Sequence, residues 1–368
     1  MSRSLTLNRL FVVPIMLITL TACAASPPAQ AEAGTAPEVI AVTAAPTEVP
    51  ATETAVPTET AVPSTETAEP TTTPMPPTAT MEPTATPSPT TTPLPPMSGS
   101  GGGVIAYVSQ PENATGIQIM NADGSDQRRL TDNTDTHPTW SPNGSKIAFA
   151  SKIGSAEDGW GIYEIDLTTG EVTLLVKNDF ETSSPDWSPD GTRLALSNSW
   201  EIQRIMLDGG RLERISPDLI GDYLADYPDW SPDGTQLVYT VANMVEGFIA
   251  DIFTADADGS NIVQLTFEEG NDRSPVWSPD GSLIAFESDR EGNWELYVMN
   301  ADGSNIQNIT SAPESRELWP SWSPDGSKIA FQTNRDGNWE IYVMNADGTE
   351  IQRLTDNDIK DTEPAWRP

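Results

Sequence analysis

The pentapeptide Trp-Ser-Pro-Asp-Gly occurs at Trp187–Gly191, Trp230–Gly234, Trp277–Gly281 and Trp322–Gly326, preceded by a variant, Trp140-Ser-Pro-Asn-Gly144. A sixth copy is reduced to Trp366-Arg367-Pro368. The six tryptophans are 47, 43, 47, 45 and 44 residues apart. A recurrence at this spacing marks a repeat array, in which each unit buries its apolar faces against its neighbours, and the length fits a propeller.

One unit reads most plainly between Trp277 and Trp322. Leu283-Ile-Ala-Phe286 follows the pentapeptide, then Ser288–Asn293, Trp294–Met299, the turn Asn300-Ala-Asp-Gly303, and Ile306–Thr310. These are short β-rich runs separated by turn residues. Ser-Pro-Asp-Gly suits a tight turn: Pro presets φ at the second position, Asp tolerates the third, and Gly accepts positive φ at the fourth. Leu283–Phe286 and Ile329–Phe331 are apolar without strict alternation, as expected of strands buried on both faces. No such run reaches helix length, and Gly or Pro brackets each. Four antiparallel strands in a meander make one blade.

The units run 104–140, 147–187, 194–230, 237–277, 284–322 and 329–366. The array therefore begins on a second strand, Val104-Ile-Ala-Tyr107, and ends on a first strand at Trp366. This offset predicts an all-β, six-bladed propeller over 104–368, closed by pairing of the C-terminal strand with the N-terminal three. Closure removes free sheet edges, which invite aggregation.

On these residues, above all Ser288–Gly303 and its copy ending at Gly348, the chain resembles the TolB-like family of β-propellers. The resemblance covers about 104–368. It implies six blades with the first strand innermost, and an envelope role with a partner such as a peptidoglycan-associated lipoprotein. The family namesake carries a small α/β domain before its propeller; the corresponding residues here are low-complexity.

Ahead of the repeats, Arg3 and Arg9 precede the apolar run Leu10–Leu20. That run is too short to span a bilayer and fits the core of a secretory signal peptide over 1–22. Leu20-Thr-Ala-Cys23 resembles the bacterial lipobox, which implies cleavage before Cys23 and a lipid on its sulfur; an ordinary secreted protein is the alternative. Cys23 is the sole cysteine, which excludes an internal disulfide and a cysteine-based zinc site. Residues 23–103 are rich in Pro, Thr, Ala and Glu, with too few large apolar side chains to offset ordering entropy, and are expected to be a disordered tether. Between a flexible coil and extended polyproline at ~3.1 Å per residue, its reach is roughly 50 Å to at most about 250 Å.

Net charge is −35, and the eight Glu and two Arg of the first 103 residues leave −29 on the repeats. So acidic a surface repels phosphate backbones, so no nucleic-acid partner is expected.

A meander alternates its turns between two faces. Ser-Pro-Asp-Gly and Asn-Ala-Asp-Gly share one face and vary little. The connections on the other face differ from blade to blade, and loops on a rigid scaffold are where binding usually resides. With the first strand innermost, as the resemblance implies, the loops preceding each Trp ring the mouth of the central channel. They nominate a binding face of Asp135, His137, Glu181, Asp226, Tyr227, Asp272, Arg273, Arg316, Trp319, Asp361 and Glu363.

His137 is the only histidine, so a histidine-based metal site is excluded, and no Gly-x-Ser-x-Gly elbow accompanies it. Asp256-Ala-Asp-Gly259 mimics the start of an EF-hand loop, but the twelfth position is Phe267 rather than Glu, so it reads as a hairpin turn. No catalytic residue and no cofactor is nominated. The leading expectation is a membrane-anchored, monomeric, extracytoplasmic module that binds an envelope protein, peptide or glycan. Two alternatives stay open: a calcium-dependent hydrolase or lyase with carboxylate ligands at the channel mouth, and a structural spacer.

Overall fold

The computed structural model describes residues 103–111, 115–152, 160–177, 182–198, 200–217, 223–244, 249–267 and 270–368. The expectations placed on the signal peptide, on Cys23, on the tether and on Glu181 lie outside these residues.

The described residues form 24 strands in six four-stranded antiparallel sheets. In chain order the inner strands are Thr136–Trp140, Thr182–Trp187, Tyr223–Trp230, Asp272–Trp277, Glu317–Trp322 and Lys360–Trp366, and we number blades I to VI by them. In blades I to V the other three strands follow the inner one directly. Blade VI is composite: Lys360–Trp366 pairs antiparallel with Val104–Gln110, from Ile105↔Trp366 to Gln110↔Lys360. Gly116–Asn121 and Arg128–Arg129 complete that sheet, so the ring closes as the offset of the repeats predicts.

The hydrophobic core is divided into six clusters, each lying between neighbouring blades. Trp230, Leu237 and Tyr239 of blade III, for example, pack against Ala195, Ile202 and Ile215 of blade II. Each repeat tryptophan sits in such a seam and is at most 8% exposed. Truncating a buried indole typically costs about 3–5 kcal/mol, so the tryptophans hold blade to blade.

The pentapeptide turn is a closed hydrogen-bond network. In blade IV, Ser278 Oγ donates to Asp280 Oδ1 at 2.7 Å and accepts from Leu283 N at 2.9 Å. Asp280 Oδ1 also accepts from Ser282 N at 3.0 Å. Ser and Asp thus satisfy backbone donors, beyond merely tolerating the turn. Ala301 N of the second turn donates to Ser282 O of the first at 3.0 Å, which ties both turns to one face.

Two glycines test this face. Gly281 has φ 71°, and an added Cβ would meet nothing nearer than Pro232 at 3.7 Å, so only backbone strain opposes alanine. Gly281→Ala should therefore cost about 1 kcal/mol. Gly348, at φ 83°, also lies directly against Ile309 O and leaves no room for a Cβ. Gly348→Ala should cost distinctly more, read as a lower urea midpoint than that of Gly281→Ala. Equal midpoints would mean the close approach is not maintained.

Candidate functional site

Each inner strand carries X-Pro-X-Trp: His137–Trp140, Ser184–Trp187, Tyr227–Trp230, Ser274–Trp277, Trp319–Trp322 and Glu363–Trp366. The residue before each proline is left-handed, with φ of 54, 48, 56, 49, 58 and 53° in that order. The pairing of each inner strand with its neighbour shifts register at this point. Proline has no N–H for the ladder, and a bulge there re-aims the preceding side chain toward the axis. Side chains other than glycine held at positive φ cost on the order of 1–3 kcal/mol each and persist only where the surroundings enforce them.

The surroundings do so through the neighbouring blade. Trp319 N donates to Glu287 Oε2 at 3.0 Å, Glu363 N to Gln332 Oε1 at 2.8 Å, Ser274 N to Thr240 Oγ1 at 3.2 Å, and His137 N to Glu363 Oε2 at 2.6 Å. Tyr227 N is taken by its own neighbour, Asp226 Oδ1, at 2.8 Å.

His137, Tyr227 and Trp319 come from blades I, III and V and meet across the axis. Their ring centroids are 6.1 Å (His137–Tyr227), 5.3 Å (His137–Trp319) and 5.1 Å (Tyr227–Trp319) apart, the last pair edge to face. Three rings this close leave no passage between them. The variable-loop mouth of the channel is therefore capped by an aromatic triad, with Ser184, Ser274 and Glu363 filling the alternate positions. Burial, then the charges of Asp226, Glu287 and Glu363, raise the Tyr227 phenol far above its usual range, and Arg273 acts in the opposite sense.

Beyond the triad the channel widens into a cavity of about 530 Å³ that reaches the turn face at Pro142, Pro189, Pro232, Pro279, Pro324 and Pro368. Its wall includes the residues just before each Trp: Thr139, Asp186, Asp229, Val276, Ser321 and Ala365. Asp186 Oδ2 accepts from Trp230 N at 2.9 Å, Asp229 Oδ2 from Trp277 N at 2.8 Å, and Ser321 Oγ from Trp366 N at 2.9 Å. Asp186 Oδ1 also accepts from Thr139 Oγ1 at 3.1 Å. Burial pushes the Asp186 carboxyl up to about 6. Burial, followed by the neighbouring Asp186 charge, pushes Asp229 well above the usual carboxylate range. Glu287 is pushed up to about 7, again by burial.

Of the nominated residues, His137, Tyr227, Trp319 and Glu363 surround the cap. Asp226 lies beside it, accepting from Ser184 Oγ at 3.1 Å and from Ser197 Oγ. The Arg273 guanidinium lies 5.3 Å from the ring centre of Trp294, and Arg316 is exposed on the variable-loop face. Asp135, Asp272 and Asp361 are not displayed at the mouth: each is at most 1% exposed. These acids tie the start of the inner strand to its neighbours. Asp135 accepts from Ser151 Oγ, Asp272 pairs with both oxygens to Arg290 Nη2, and Asp361 accepts from Asn357 Nδ2 at 2.8 Å. His137, Asp226, Tyr227, Asp272, Arg273, Trp319, Asp361 and Glu363, expected in loops, lie within the inner strands. Asp186, Asp229 and Glu287 were not nominated. The recurring X-Pro-X-Trp was the available signal for the first two, because it fixes which residue precedes the buried indole.

Among the described residues no group of three or more His, Cys, Asp or Glu side chains is arranged to hold a metal ion. Several large exposed apolar side chains lie at the variable-loop end of blades II and III. Phe267 is 73% and Trp200 54% exposed, with Tyr223 and Ile249 also exposed. Trp200 O accepts from Ala225 N at 2.9 Å, which joins its turn to blade III.

A family model described as TolB beta propeller domain matches residues 220–319 and 314–368. An uncharacterized protein of Agrobacterium fabrum is 28% identical over 181 residues, covering 46% of this chain and 60% of the relative. The chain spans less than two thirds of the length of the curated relatives it matches. Among solved structures, TolB from Acinetobacter baumannii superposes with a TM-score of 0.62 and 25% identity, over 72% of this chain and 67% of that one. A putative TolB from Agrobacterium tumefaciens gives 0.56 and 21% identity, over 73% of this chain and all of that one, and shows likeness of fold alone.

Proposed function

Because residues 104–368 form a TolB-like β-propeller, we propose that this chain is an extracytoplasmic binding module that takes a protein or peptide partner on its variable-loop face. The reading includes a signal peptide over 1–22, a lipid on Cys23 that holds the chain at a membrane, and a tether over 23–103. The observation that carries it is the exposure of Trp200, Tyr223, Ile249 and Phe267 at the variable-loop end of blades II and III. An acidic surface otherwise stays wet. Exposed aromatic and aliphatic side chains at strand ends and turns supply contact area that solvated carboxylates do not, and aromatic residues dominate interface energy. The A. baumannii relative is named TolB, and the protein called Tol-Pal system protein TolB in Thioalkalivibrio sulfidiphilus shares a short stretch with this chain, which supports a protein partner in the envelope.

The test is capture from envelope extract followed by titration of the recovered partner. Trp200→Ala with Phe267→Ala should weaken binding by about tenfold or more at unchanged melting temperature. Ile262→Ala with Ile351→Ala, on the turn face, should leave it unchanged. The reverse result would assign binding to the wrong face.

A further inference from the structure

The turn face, which looks like pure scaffold, is also where the central cavity opens. We propose that this cavity is a second, blind binding pocket that takes an organic ammonium or guanidinium group, entering from the turn face.

Shape is the first argument. The aromatic triad closes the far end, so the space of about 530 Å³ is a pocket rather than a pore. Its size lies within the range of small-ligand sites, ~300–1,000 Å³. Its mouth is a collar of prolines, exposed at Pro189, Pro232, Pro279, Pro324 and Pro368 and half-buried at Pro142.

Chemistry is the second. Asp186 and Asp229 stand on adjacent blades in the wall; among the described residues no Lys or Arg lines the cavity, and the guanidiniums of Arg193 and Arg367 lie over the Trp230 and Trp140 rings. Asp229 Oδ2 is held by Trp277 N, while no donor among the described residues meets Oδ1. Capping the next blade's tryptophan N–H does not require charge, because Ser321 does the same for Trp366 with a hydroxyl. Val276 and Ala365 occupy the same position with no polar atom at all. The carboxylates therefore exceed what the ring needs, and two of them on adjacent blades are unfavourable as anions unless a proton or a cation joins them. Two acids with no third ligand do not make a metal cage, in keeping with the absence of any metal-holding group among the described residues. An alkyl-borne cation suits the remaining wall: Val276, Ala365 and the tryptophans take methylenes, and the triad's aromatic rings attract positive charge.

The ammonium has two sources, a free small amine or a lysine side chain on a polypeptide. The experiment titrates the full chain with n-butylammonium and, separately, with acetyl-Ala-Ala-Lys-Ala-Ala-amide, following heat or tryptophan fluorescence. Saturable binding is expected, weakened by about tenfold or more in Asp229→Asn, the size of one close charge pair. Asn keeps an acceptor for Trp277 N, so the variant should melt no lower than the parent. Asp302→Asn, an exposed turn acid, controls for diffuse surface attraction and should bind like the parent. Val276→Trp, which fills the cavity, should abolish binding. Saturation by butylammonium alone assigns a small amine, and saturation by both assigns a lysine side chain. No saturation with either probe, or equal affinity in Asp229→Asn and Asp302→Asn, overturns the proposal.

Discussion

Deleting residues 360–368 is expected to turn the closed propeller into an associating, destabilised chain. Val104–Gln110 loses its inner partner and presents an unpaired edge. Blade V loses the seam in which Trp366, with Ile105 and Tyr107, packs on Ala330, Ile341 and Val343. Unpaired edges and an uncovered apolar seam both favour association between chains. Trp366→Ala alone keeps the strand but removes an indole only 6% exposed, whose backbone N–H is held by Ser321. Its cost should be about 3–5 kcal/mol. Size-exclusion chromatography with urea unfolding reads both effects. A truncated chain that stays monomeric with an unchanged midpoint would show that the ring does not depend on this strand.

Stability should peak on the acid side of neutrality, because two populations of carboxylates titrate in opposite senses. Glu287 is held at about 7 and Asp186 and Asp251 at about 6, each mainly by burial, and Asp229 is raised as well. Unfolded, such groups titrate near ~4. Between ~4 and the folded values the native state binds more protons than the unfolded one, so stability falls as pH rises through this window. The turn aspartates behave oppositely. The Ser327 and Ser323 hydroxyls and the Ser327 N–H hold Asp325 at about 2, and Asp190, Asp233 and Asp280 are lowered by equivalent bonds. Their contribution is present above ~4 and lost on further acidification. The melting temperature is thus expected to be highest near pH ~4–5 and to decline toward 8.

Glu287→Gln isolates one group. Glutamine still accepts from Trp319 N, but its amide never ionises. The variant should match the parent near pH 5 and gain about 2–3 kcal/mol by pH 8. A melting temperature that climbs steadily from pH 5 to 8, or a Gln variant equally destabilised at both, would refute buried ionisation as the cause.

The blade and its closure are legible in the sequence, because the forces that make them are local and repeated. Pro presets a dihedral, Gly281 accepts a φ of 71°, and Ser278 and Asp280 reach backbone groups within five residues. The offset between Val104 and Trp366 specified the composite blade, since only that pairing leaves no edge. The site was not legible in the same way. Asp135, Asp186, Asp226 and Asp272 are one residue type in one stretch of successive repeats, yet Asp135 and Asp272 are interior struts, Asp186 lines the cavity and Asp226 flanks the cap. Which fate each meets depends on strand phase and on the partner in the next blade. His137, Tyr227 and Trp319 lie two repeats apart in the chain, and nothing local brings them together. Only ring closure at this radius, with a bulge turning each side chain inward, places their centroids 5.1–6.1 Å apart and makes one mouth of the channel a wall.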